Sequence, residues 1–191
     1  MSSNKVIEIK KPSLKTRIMR EIAERFSPHV FSLEPIPDEE IRSFFEAARW
    51  APSARNRQPW FFYYTKHKER SFEKICSTLY EFNYWARHAP ILVVACVIDE
   101  DENGRNSYAL YDLGGSITMM ILQAQHMGYY ARQIGAFDKE KLSKTLLLPK
   151  NHNPFVIIAL GKIGDYTTAD KKSSQFDFVP RQRKLDISKR I

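Results

Sequence analysis

Residues 91–98, Ile-Leu-Val-Val-Ala-Cys-Val-Ile, are apolar without a break. The run has the length of a strand and falls far short of the ~20 residues that span a bilayer. A strand that is apolar on both faces belongs in the middle of a sheet, covered on both sides. Pro90 opens it. Phe155–Leu160, opened by Pro154 and closed by Gly161, reads as a second buried strand. Trp60–Thr65, bounded by Pro59 and rich in aromatics, reads as a third.

Helical periodicity occupies the intervals. Leu110, Leu113, Ile117, Met120, Ala124 and Met127 alternate spacings of three and four, and Gly128 follows as a C-terminal cap. Gly114 and Gly115 lie inside this helix, each costing roughly 1 kcal/mol against Ala, and close approach of another helix is the usual offset. A helix with Ile41, Phe44, Phe45 and Ala48 on its buried face starts at the acidic turn Asp38-Glu39-Glu40 and stops before Pro52. Leu14, Ile18, Ile22 and Phe26 predict a helix from Pro12 to about Phe26. Residues 67–81 read as another, with Phe72, Ile75, Cys76 and Leu79 on one face. Asp138 can cap a short helix containing Leu142 and Leu146. Residues 1–11 read as an irregular arm, and the chain from Asp165 onward as a polar tail. The aromatics Phe82, Tyr84 and Trp85 are core, dimer contact, or the lid of a flat ligand.

With 191 residues, 43% hydrophobic and 13% aromatic, the chain fits one globular domain spanning 1–191, with its arm at 1–11 and its tail at 165–191. The polar, basic start carries no signal-peptide pattern. Cys76 and Cys96 sit in apolar patterns without metal spacing and read as buried free thiols, which fits a reducing cytoplasm. The net charge of +8 is unevenly placed. Residues 1–20 carry six Lys or Arg against Glu8, residues 171–191 carry seven against two Asp, and the 150 between sum to −2. The basic ends form an anion site or are solvated tails; a nucleic-acid surface would need a motif that the sequence does not show.

Three stretches carry site chemistry. Between the helix ending near Ala51 and the strand at Trp60 lies a polar loop, Ser53–Pro59, with Asn56 and Gln58. Each amide offers a donor and an acceptor, which suits the edge of a flat heterocycle; the alternative is a loop bonded to itself. Arg25, Ser27 and His29 cluster at a helix exit, where a guanidinium and a hydroxyl suit phosphate oxygens or simply face solvent. Gly135, in Gln133-Ile134-Gly135-Ala136, permits close approach of backbone to a ligand.

The loop Ala48-Arg49-Trp50-Ala51-Pro52-Ser53-Ala54-Arg55-Asn56-Arg57-Gln58-Pro59-Trp60 resembles the signature loop of the nitroreductase family, FMN-dependent homodimeric oxidoreductases. Further stretches match in the family's order over roughly residues 18–185: Arg25-Phe26-Ser27-Pro28-His29, Tyr111-Asp112-Leu113-Gly114 with Leu122, Ala124 and Gly128, Gln133-Ile134-Gly135-Ala136, Phe155–Gly161, and Pro180–Leu185. Phe26 stands where the family's second Arg is usual, and His29 where Arg or Lys is usual. Histidine supplies a cation there only when protonated.

The resemblance implies an α+β fold, with a mixed, mainly antiparallel sheet flanked by helices. It implies FMN at the interface of a homodimer, bound by both chains. Arg25, Phe26, Ser27, Arg181 and Arg183 would surround its phosphate, with His29 toward the ring. Pro52, Ser53, Ala54, Asn56 and Gln58 would meet the ring through the signature loop. Gln133, Ile134, Gly135 and Ala136 would bring backbone N–H groups to its reactive edge. NADH or NADPH would then be the transient hydride donor and a nitroaromatic, quinone or similar small molecule the acceptor. The sequence contains no Gly-rich dinucleotide fingerprint, shows no acid–base pair and nominates no catalytic side chain. Two rival readings stand beside this one: a specialised member, such as a dehalogenase, flavin-cleaving enzyme or dehydrogenase, on the same FMN site, and a non-enzymatic basic protein that binds nucleic acid.

Overall fold

The computed structural model describes residues 2–184 and 187–189. Its sheet contains β1 (Trp60–Lys66), β2 (Ile91–Val97), β5 (Tyr130–Ile134) and β6 (Asn153–Gly161), in the order β1-β2-β6-β5. Every one of these pairings is antiparallel, so the expected parallel component is absent among the described residues. A two-residue hairpin, β3 (Glu100–Asp101) with β4 (Gly104–Arg105), sits in the charged loop after β2. β5 escaped the sequence reading because its pattern, Tyr-Ala-Arg-Gln-Ile, lacks an apolar run.

The sheet lies between two helical layers, and β2 shows why it is apolar throughout. Ile91, Val93, Ala95 and Val97 face a core built with α3 (Asp38–Arg49) and α5 (Ala109–His126). Leu92, Val94 and Cys96 face the opposite core, built with α4 (Arg70–Cys76), the 3₁₀ segment Glu81–His88 and α6 (Lys139–Leu146). The period of two in a strand sends alternate residues to each layer. Val156, Ile158 and Leu160 of β6 divide from Ile157 and Ala159 in the same way.

α3 begins with Asp38, Glu39 and Glu40, and the helix of α5 closes on Gly128 at φ 83°. The buried Ser116 hydroxyl donates to Ala48 O at 2.8 Å, tying α5 to α3. Asp138 caps α6 by accepting from the Lys141 N–H. Gly114 and Gly115, by contrast, face open space, so among the described residues no helix approaches them.

Other expectations change. Residues 1–11 are not an irregular arm: Ser3–Ile9 form α1, whose Val6 is fully buried against Phe26 and Tyr166. The helix expected over 12–26 contracts to α2, Arg20–Glu24. Leu14, Ile18 and Ile22 are 48%, 41% and 45% exposed. A periodic stripe without a surface to pack on gains little helical stability in water. α4 stops at Cys76 because Thr78 and Leu79 turn away to meet the Phe137–Asp138 backbone. Trp85 is core, whereas Phe82 and Tyr84 are exposed. The tail from Asp165 packs through α7 (Lys171–Ser174) and a 3₁₀ turn at Gln175–Phe178. Among the described residues no helix is long and apolar enough to cross a membrane.

Candidate functional site

Both ends of the chain fold into one corner. Arg181 reaches back to the exit of α2, where its Nη1 and Nη2 donate to Arg25 O and Ala23 O, both at 2.6 Å. These are end-of-helix carbonyls, which a cation satisfies well. Lys10 Nζ donates to Val179 O at 2.7 Å and to Phe176 O at 3.3 Å, pinning the C-terminal segment from the other side. Arg25 Nη1 donates to Ser27 Oγ at 3.3 Å. Arg183 lies close enough to add to what burial does to Arg25 and Arg181, lowering the pKa of both.

Three guanidiniums thus gather at Arg25, Arg181 and Arg183, and among the described residues no carboxylate pairs with any of them. Arg181 Nε is buried without a hydrogen-bond partner. A cluster of this kind is short of an anion. The chemistry of the donors therefore fits a phosphate group. Phe26, the residue between Arg25 and Ser27, turns inward and packs its ring 5.0 Å from Tyr130.

β5 leads from this corner to the second candidate stretch. Arg132 Nη1 donates to Ser27 O at 2.6 Å, and its guanidinium lies 5.3 Å from the Trp85 ring. Gln133 and Gly135 are exposed, Ile134 is buried in the core, and nothing lies within 4 Å of where a Gly135 Cβ would stand. Asn83 Nδ2 donates to Ala136 O at 2.9 Å and fixes the far end of the stretch. Arg132 and Asn83 were not nominated from sequence. Arg132 directly precedes a nominated residue, a signal that was available; Asn83 had none.

His29 is buried, 8% exposed, and so is its partner Asp177 at 2%. The His29 backbone N–H donates to Asp177 Oδ2 at 2.7 Å, the ring Nδ1 sits 2.8 Å from Oδ1, and Tyr166 Oη donates to Oδ2 at 2.7 Å. Burial pushes the Asp177 carboxyl up, but the hydrogen bonds from His29 and Tyr166 outweigh it and hold the group below its ordinary value. Burial and the same carboxylate push the Tyr166 phenol far up. A buried, hydrogen-bonded His–Asp pair thus joins two parts of the chain that the sequence did not connect.

The signature loop stands elsewhere. After exposed Pro52, Ser53 Oγ accepts from the Gln58 N–H at 2.9 Å, and a 3₁₀ turn covers Ala54–Asn56. Arg55, Asn56 and Gln58 all adopt positive φ, 54°, 56° and 47°. Left-handed geometry at non-glycine residues costs free energy and persists only where the surroundings enforce it. Here Asp112, buried at the start of α5, accepts from the Ala54 N–H at 3.0 Å. Arg57 forks onto Asp101 at 2.6 and 2.9 Å. Gln58 Nε2 donates to Asn56 O, and the Asn56 amide side chain is exposed.

One chain does not bring these stretches together. The loop is fixed at Asp112, near the start of α5, while α2 is fixed at its end, where His126 Nδ1 meets Glu21 Oε1 at 2.8 Å. Fourteen residues at 1.5 Å each separate the two points by about 21 Å. The sheet agrees. The loop enters β1 beside Val97 and Asn153, whereas the arginine corner lies by Tyr130 and Gly161, at the other end and the other edge.

Comparison with known proteins decides the lineage. The sequence model of the Nitroreductase family matches residues 22–82 and 69–162. The chain belongs to the nitroreductase family. A structure described as an oxidoreductase containing FMN superposes with a TM-score of 0.85 at 25% identity, over 93% of this chain and 94% of that one. A relative from Archaeoglobus fulgidus, provisionally named NADH dehydrogenase/NAD(P)H nitroreductase, is 27% identical over 147 residues, 75% of this chain and 83% of its own length. An uncharacterized 15.4 kDa protein of Mycolicibacterium smegmatis is 33% identical over 116 residues, 60% of this chain and 78% of its own length. The nitroreductase-family assignment accounts for the fold and makes the chain an oxidoreductase.

Proposed function

We propose that this nitroreductase-family protein is a homodimeric FMN oxidoreductase that uses NADH or NADPH to reduce a small acceptor, such as a nitroaromatic or a quinone. The observation that carries the reading is the arginine corner, without a carboxylate partner among the described residues, lying at the opposite end of α5 from the strained amide loop. Two copies packed through antiparallel α5 helices would set the corner of one against the loop of the other. The surface there suits such packing: Ile18, Met19, Ile22, Leu110 and Tyr111 are exposed apolar residues, and Gly114 and Gly115 leave room for a close neighbour. The FMN-containing neighbour and the name of the archaeal relative support the choice of cofactor and donor.

Arg25, Ser27, Arg181 and Arg183 would hold the FMN phosphate, with the inward-turned Phe26 fixing the backbone between them. Gln133, Ile134, Gly135 and Ala136 would present backbone to the ring edge, Ile134 anchoring the strand from the core. Pro52, Ser53, Ala54, Asn56 and Gln58 of a second copy would complete the site. When bound, FMN supplies hydride chemistry at its N5. The protein supplies charge, orientation and exclusion of water. Residues 1–191 act as one FMN-binding unit, because α1 and the tail both build the arginine corner.

The test is the visible spectrum of purified protein, before and after anaerobic NADH or NADPH. Bound flavin that bleaches with one of them is the expected result. A protein that neither carries nor takes up FMN overturns the reading.

A further inference from the structure

Apart from the arginine corner, a groove of about 970 Å³ opens between the chain around His29, the Glu81–His88 segment and the tail. Its size matches a site for a small organic molecule. Phe31, Phe82, Tyr84, Trp85 and Phe176 line it, together with His29. The His29 ring is held edge-on to Trp85 at 5.4 Å and tilted against Phe176 at 5.8 Å.

His29 is the single residue shared by this groove and the stretches assigned to FMN. Its Nδ1 is engaged by Asp177. Among the described residues, the solvent-inaccessible polar side-chain atoms without partners are Asn106 Nδ2, Gln125 Oε1 and Arg181 Nε. Among the described residues His29 Nε2 has no hydrogen-bond partner and is not one of them, so it is a solvent-accessible atom of a residue that lines the groove. Asp177 in turn is fixed by Tyr166 Oη and the His29 N–H, with Lys10 and Arg132 as the nearby cations.

We propose that the groove binds a flat aromatic compound bearing an ionisable hydroxyl, a phenol type of ligand, and that His29 Nε2 is the atom that exchanges a proton with that oxygen. Asp177 is the positioning residue. By accepting the Nδ1–H it leaves Nε2 as the sole exchanging nitrogen of the ring. Protonated, Nε2 gives its proton to a ligand oxyanion and keeps the electron pair; neutral, it accepts the proton of a ligand hydroxyl. The aromatic walls select a planar ring, since stacked and edge-on ring contacts favour it. Binding at the groove does not depend on FMN. Only the use made of the bound compound rests on the oxidoreductase reading above.

The test uses 4-nitrophenol, whose absorption reports its own ionisation, titrated into the full-length protein with and without FMN. Wild type binds it saturably, with a changed nitrophenolate band and a shift of the His29 ring ¹⁵N signals. His29→Phe weakens binding about tenfold or more, because a hydrogen bond to an ionised group is lost. Asp177→Asn changes the ring ¹⁵N pattern before any probe is added. Phe82→Ala alters an exposed wall residue without touching the core, and it too weakens binding, which keeps the test decisive if His29→Phe does not fold. The proposal is overturned if wild type does not bind, if both groove variants bind as tightly as wild type, or if saturation leaves the His29 ring signals in place. Failure of wild type to take up FMN would instead sink the cofactor reading and leave this one standing.

Discussion

Gly164 is the position where one methyl group should do the most damage to the corner that carries His29. A Cβ there would lie 2.4 Å from Phe31 O, 2.5 Å from Phe31 C and 3.0 Å from Ser32 N. All three are backbone atoms, so no side chain can rotate away. Relief to an ordinary contact of about 3.5 Å requires the 30–32 segment to move by roughly 1 Å. That segment is held by the hydrogen bonds from Gly164 N to Val30 O at 3.0 Å and from Ser32 N to Lys162 O at 2.9 Å. Overpacking costs about 1–3 kcal/mol and one lost hydrogen bond about 1 kcal/mol, so Gly164→Ala should destabilise by about 2–4 kcal/mol. In a chain of this size that lowers Tm by roughly 4–16 °C. The control is Gly135→Ala, where a Cβ meets nothing within 4 Å. Thermal melts followed by circular dichroism compare the two. Equal Tm values for wild type and Gly164→Ala would refute the steric argument.

The Asp177 carboxyl is held below its ordinary value, so its stabilisation is complete above about pH 4 and fades as pH falls through the lowered folded value. Acid unfolding of wild type should show this loss, and Asp177→Asn, already weaker at neutral pH, should lose less on acidification; parallel curves would contradict it. Ser116→Ala removes the buried tie to Ala48 O and should cost about 1 kcal/mol in urea unfolding, with an unchanged midpoint counting against that tie. Burial pushes Cys76 up to about 11 and Cys96 up to about 12. Neither thiol should therefore react with a disulfide reagent at neutral pH until the protein unfolds, and rapid labelling of the native protein would refute their inert packing.

What the sequence made legible was whatever is written locally. β2 and β6 are apolar on both faces because each is covered on both faces. The α5 repeat ends on Gly128, Pro52 stops α3, and Asp138 caps α6 through nearby residues. The misses are long-range. Periodicity alone extended a helix over residues 12–19, where one chain offers no surface to pack on. α1 is stabilised by the burial of Val6 against Phe26 and Tyr166, distant in sequence. The Asp177 carboxylate meets His29 across 148 positions of sequence. No local pattern announces such a pair, and a tail rich in Lys and Arg gave no hint that its acid would be nearly fully buried. Arg25 and Ser27 were legible as a candidate anion site or a solvated helix end, and the structure brings Arg181 of the tail to the same corner.

The central claim is that two chains build each FMN site. It is tested most directly by light scattering and visible absorption recorded together on the FMN-loaded protein as it elutes from a sizing column. The account predicts flavin absorption in a particle of twice 22.3 kDa, with flavin lost as dilution separates the chains. Flavin held stoichiometrically by a 22.3 kDa particle, or a two-chain particle that takes up none, would contradict it.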